Sequence, residues 1–155
     1  MAASNEDQDT YFDKVLQSAL HHGRWEKRVE MVYILGELRD PRALDALKAI
    51  MAEDDPYLVS EAVRATGKIG GSKAMEQLQI MMRHSSFMVR GEVALALGEM
   101  VHPKRDKLLN ELLKDFSPYV ANCANIVLNY DSLDPKGKDV QKLRFCHAKR
   151  CNQSR

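Results

Sequence analysis

Apolar positions along this chain fall into short runs of helical spacing, and the runs themselves repeat. Leu58, Ala62, Ala65 and Ile69 step by four, three and four residues, as do Val89, Val93, Ala96 and Met100. Met31, Ile34 and Leu38 fit the same steps, with Lys27 at the first position, and Val120, Ala124 and Val127 fit them again before Asp131. That stepping puts each set on one helix face. A second apolar set follows in turn: Leu47, Ile50 and Met51, then Leu78, Met81 and Met82, then Leu109, Leu112 and Leu113. Successive sets lie 31 residues apart, and Gly36, Gly67 and Gly98 mark the register, with Asn129 at the fourth step.

The segments RDPRA, GGSKA and VHPKR between paired runs are turn-like. Asp55-Pro56 and Ser117-Pro118 predict an N-cap followed by an N1 proline, and Ser86 stands in the same column. Phe12, Leu16, Ala19 and Leu20 continue the phase upstream; Val140 and Leu143 continue it downstream. The pattern predicts an all-α solenoid of nine helices. A half repeat at 7–22 precedes repeats at 24–53, 55–84 and 86–115, then a degraded repeat at 117–130. Residues 1–135 form the repeat domain, and 136–155 a partly helical basic tail. Divergent ends suit a solenoid, whose caps must face water. Glycine inside a helix costs ~1 kcal/mol relative to alanine. Its recurrence predicts a neighbouring helix too close for a Cβ, and Asn129 predicts that this neighbour is missing or displaced in the fourth repeat.

Composition adds little to the fold but narrows the setting. No stretch approaches the ~18 apolar residues of a membrane span, and MAASNEDQD lacks the regions of a signal peptide. Three cysteines, Cys123, Cys146 and Cys151, predict reduced thiols and a cytoplasmic or nuclear setting. The net charge of +1 conceals a split: the tail carries seven basic residues against Asp139, and the body is mildly acidic. Nucleic acid is therefore not expected on the body. It is left as one reading of the tail through Lys142, Arg144, Lys149 and Arg150, beside solubilising the cap or folding against the body.

The stretches DDPYLVSEAVRATGKIGGSKAMEQL and SSFMVRGEVALALGEMVHPKRDKL resemble HEAT-like repeats of the phycobilin-lyase type, and RWEKRVEMVYILGELRDPRALDALKAI fits as well. The resemblance implies a fold and leaves function open. Deoxyhypusine hydroxylase has repeats of this type, which hold a di-iron centre through His-Glu pairs in the first helices. The glutamate column stands here as Glu30, Glu61 and Glu92, preceded by Val29, Ser60 and Gly91. No His-Glu dipeptide occurs, so that activity, and catalysis generally, is not expected. The column reads as a solvated rim pairing with Arg28 or Arg90, or as an acidic strip that recognises a basic peptide.

Cys123 reads as a core thiol. Cys146, His147 and Cys151 fall short of the four ligands of a structural zinc site. No phosphate loop or nucleophile elbow is present. Neither metal nor cofactor is expected. The reading is a non-catalytic adaptor or scaffold that binds a protein partner. The alternative is an assisting or catalytic subunit of a phycobilin-lyase-type complex.

Overall fold

The structure, a computed structural model, describes residues 5–133, with side chains from residue 6 to residue 129. Eight α-helices occur among these residues, with no strand. They are α1 (Asn5–His21), α2 (Trp25–Leu38), α3 (Leu44–Ile50), α4 (Pro56–Ile69), α5 (Gly71–Met81), α6 (Phe87–Gly98), α7 (Arg105–Leu112) and α8 (Pro118–Leu133). A 3-10 turn at Pro41–Ala43 precedes α3. The ninth expected helix falls on Val140 and Leu143, outside the described residues.

Local chemistry starts and stops these helices. Asp55 accepts the N–H groups of Tyr57 and Leu58 at 2.9 and 3.2 Å, and Pro56 opens α4 without a donor to lose. Ser86 occupies the same column but makes no side-chain cap, which corrects the expectation of one. The turns use left-handed backbone, with Arg39 at φ 52° and Gly70 and Gly71 at 73° and 87°. Glycine takes that region without the Cβ clash that Arg39 tolerates.

The helices form two layers. Neighbouring first helices, α2, α4, α6 and α8, pack directly on one another, whereas neighbouring second helices touch sparsely. Approach is therefore close in the first-helix layer and looser in the second. The core lies between the layers and follows the sequence columns: Leu47, Leu78 and Leu109 are fully buried, as are Leu58, Val89 and Val120.

The glycine ladder sets the spacing of the first layer. A Cβ on Gly36 would stand 2.9 Å from Ala65 Cα; one on Gly67 would stand 2.7 Å from Ala96 Cβ. The neighbour that excludes a side chain is thus the next first helix, through its own small residue two positions before the ladder. Asn129, the fourth ladder position, is exposed and bonds Asn125 at 3.0 Å. Among the described residues no helix is long and apolar enough to cross a membrane.

Candidate functional site

The glutamate column occupies two different environments. Glu30 is exposed and pairs with Lys27 one turn before it, at 2.7 Å. Glu61 and Glu92 are buried, each 7% exposed. The guanidinium of Arg64 lies between them, donating to Glu61 at 2.8 Å and to Glu92 at 3.1 and 3.3 Å. Burial works against the Arg64 charge, but the Glu92 and Glu61 carboxylates outweigh it and hold the group above its ordinary range. The expectation of a solvated rim is therefore corrected for Glu61 and Glu92. They join repeats two and three inside the protein, where a lone charge would be costly.

Arg28 and Arg90 do not serve this column either. Arg28 forms a two-pronged pair with Glu53, at 2.9 and 2.6 Å, and donates to the Ala19 carbonyl at 2.9 Å. Arg90, which is buried, pairs with Asp115 at 2.7 and 3.0 Å and donates to the carbonyls of His84 and Ser85. The hydrogen bond from Arg90 holds the Asp115 carboxyl below its usual range, against burial. These pairs clasp the turn between repeats. The column His22, Glu53, His84 and Asp115 supplies acceptors there. His22 and His84 accept the N–H two residues on at 3.1 Å, and Asp115 does so at 2.8 Å. In the middle repeat Val59 and His84 replace the ion pair.

Sequence reasoning missed Arg64 and Lys68. Lys68 is buried, bonds Glu37 of the preceding repeat, and stands 4.9 Å from the centre of the Tyr33 ring. The Glu37 carboxyl is lowered chiefly by that hydrogen bond. The charges of Glu37 and Lys68 stand one repeat apart in a single column, a signal present in the sequence. Arg64 gave no such signal, because its second partner lies 28 residues on, out of register.

The same layer exposes aromatic side chains near the N-terminal ends of its helices. Trp25 and Tyr57 pack with ring centres 5.4 Å apart, and Phe87 and Tyr119 pack edge-on at 5.5 Å. Trp25 Nε1–H donates to Asp55. Trp25, Tyr57 and Phe87 each remain nearly half exposed. Tyr119 lies over Gly91, where a Cβ would run into its ring.

Among the described residues no group of three or more His, Cys, Asp or Glu converges to hold a metal ion. The carboxylates of Glu61 and Glu92 face a guanidinium, and Val29, Ser60 and Gly91 precede the column, so these residues do not fit an iron pair. Cys123 is fully buried, in the place of a core residue. Lys142, Arg144, Lys149 and Arg150 lie outside the described residues, as do Cys146, His147 and Cys151.

With the geometry in place, comparison with known proteins supplies the family. The model of the family described as HEAT repeats matches residues 12–86 and again 55–129, together most of the chain. No curated protein matches it in sequence. The structure of human deoxyhypusine hydroxylase in complex with glycerol is similar, with a TM-score of 0.71 at 19% identity, over 83% of this chain and 46% of that one. The chain thus spans about half the length of that enzyme, and the likeness is one of fold. It corrects the expectation that the chain is not an enzyme. The architecture is shared with an enzyme, so the elimination behind that expectation does not stand, and the misfit to iron concerns one column of one layer. The fold and the two overlapping matches agree: the chain belongs to the HEAT repeat family.

Proposed function

We propose that this chain is a protein-interaction module whose first-helix layer receives an elongated partner. The observation that carries the reading is the distribution of exposed large apolar side chains. Trp25, Tyr33, Leu38, Tyr57, Phe87 and Met88 all belong to first helices, whereas the second helices contribute Tyr11 and Ile80 and the turns Val101 and Phe116. Trp and Tyr bring large contact area at low entropy cost and dominate interface energetics. Exposed apolar surface gathered on one layer marks an interaction site, and stacked repeats present such surface along an extended direction.

In this reading the chain acts as an adaptor or scaffold in the cytoplasm or nucleus. The resemblance of the repeat stretches to the phycobilin-lyase type supports the alternative, a role in a chromophore-processing complex; a coloured species co-purifying with the chain would select it. The test is affinity purification from the native host with mass spectrometry, comparing the wild-type chain with Trp25→Ala/Tyr57→Ala. A partner retained by the first and lost by the second supports the reading. A partner set unchanged by the substitutions removes it.

A further inference from the structure

The exposed face of α2 points to the chemistry of the partner, and this inference rests on the interaction reading above. Tyr33 is 48% exposed and Trp25 44%, with Tyr57 of α4 packed against Trp25. Glu26, Glu30, Tyr33 and Glu37 follow at steps of four, three and four, which aligns them along one helix face. All four are exposed. The face therefore alternates carboxylates with an aromatic ring, and the Trp25–Tyr57 pair adjoins it at the start of the helix. Lys27, paired with Glu30, is the nearest cation of α2 itself.

Lys68 shows what such a face holds. Its ammonium sits over the Tyr33 ring at 4.9 Å and bonds the Glu37 carboxylate. Ring and carboxylate together take a cation from the next repeat at one end of the face. The other end carries Glu26 and Glu30, with Glu30 paired to the exposed Lys27, and the half-exposed Trp25–Tyr57 pair stands at the start of the helix about 100° round from Glu26. An ammonium or guanidinium over an aromatic face gains ~0.5–2 kcal/mol, more as water is excluded. Negative charge along the face speeds encounter with a cationic partner.

We infer that the α2 face docks a lysine- or arginine-rich amphipathic segment of a partner protein. Its apolar side chains would rest on Trp25, Tyr33 and Tyr57, and its cations would lie against Glu26 and Glu30. The sole tryptophan of the chain is in this surface, so its emission reports occupancy directly.

The test titrates the full chain with a synthetic lysine–leucine peptide and with its glutamate–leucine counterpart. The expected result is a saturable change in Trp25 emission with the first peptide only. Tyr33→Leu and Glu26→Gln/Glu30→Gln should each weaken binding about fivefold or more. Glu76→Gln/Glu111→Gln, exposed carboxylates of the second-helix layer, should leave it unchanged. Equal weakening by both pairs of substitutions would reduce the effect to net charge and overturn the inference, as would the absence of a saturable change. A native partner that depends on Trp25 and Tyr57, from a chain that ignores the lysine–leucine peptide, would overturn the cationic partner and leave the interaction reading standing. All these side chains are exposed, and unchanged thermal melts of the variants confirm that they fold.

Discussion

Gly67 lies directly against Ala96 of the next repeat, so close that a Cβ on Gly67 would stand 2.7 Å from the Ala96 Cβ and 2.9 Å from its Cα. The atoms met are the Cβ and backbone of Ala96, and neither partner has a flexible end that could swing away. Gly67→Ala should therefore destabilise the protein by about 2 kcal/mol, because overpacking outweighs the ~1 kcal/mol gained in helix propensity. Gly23→Ala should be near neutral, since nothing lies within 4 Å of its Cβ position. Gly91→Ala should cost less than Gly67→Ala, because the Tyr119 ring it meets can rotate aside. Urea melts of the three variants rank these effects.

Arg64 is the hinge of the buried charge network. Arg64→Met leaves Glu61 and Glu92 without the guanidinium between them, and a loss of about 2 kcal/mol is expected. Arg64→Met combined with Glu61→Gln and Glu92→Gln should recover part of that loss, since the buried negative charge goes with the carboxylates. Chemical denaturation of the single and triple variants checks the order. A single variant as stable as wild type would show that the network contributes nothing.

The Arg90–Asp115 pair makes a pH-dependent prediction. Arg90 depresses the Asp115 carboxyl in the folded state, so folding favours the ionised form. Its contribution is fully present above the unfolded value of about 4 and is lost as pH falls through the lower folded value. Asp115→Asn should cost about 2 kcal/mol at pH 7, typical of hydrogen bonds to a charged group. The gap between variant and wild type should close below about pH 4. Stability curves of both proteins across that range measure it.

Cys123 should resist thiol reagents in the native state and react only as the stack opens, because it is fully buried. In a Cys146→Ser/Cys151→Ser background, labelling rates should follow unfolding as denaturant is added. Fast labelling in native buffer would contradict its place in the core.

The fold was largely legible in the sequence, because solenoid packing repeats the same neighbour relation. A column such as Leu47, Leu78 and Leu109 meets equivalent surroundings in each repeat, so its burial follows from periodicity. The ladder was legible for the same reason: Gly36 and Gly67 face Ala65 and Ala96, a fixed offset into the next repeat. Charge was less legible. Glu30, Glu61 and Glu92 look equivalent in sequence, yet the residue three positions on differs. Tyr33 offers no cation to Glu30, whereas Arg64 covers Glu61 and reaches across to Glu92. Arg64 finds its second partner by reach and not by register, whereas Lys68–Glu37 and the two pairs of Arg28 and Arg90 keep the register. The sequence assigned Arg28 and Arg90 to the glutamate column, whereas both reach 25 residues on to the turn. The aromatic side chains at the starts of the first helices were not legible, because they alternate between two neighbouring columns, Trp25 and Phe87 in one and Tyr57 and Tyr119 in the next.

The proposed partner site is the first-helix layer. Photo-crosslinking in native lysate tests it most directly, with a photoreactive residue placed at Tyr33 or Tyr57 and, for contrast, at Gln79 or Asn110 of the second-helix layer. A partner is expected to be captured from positions 33 and 57 and not from 79 or 110. Capture from 79 and 110 with none from 33 and 57 would contradict it.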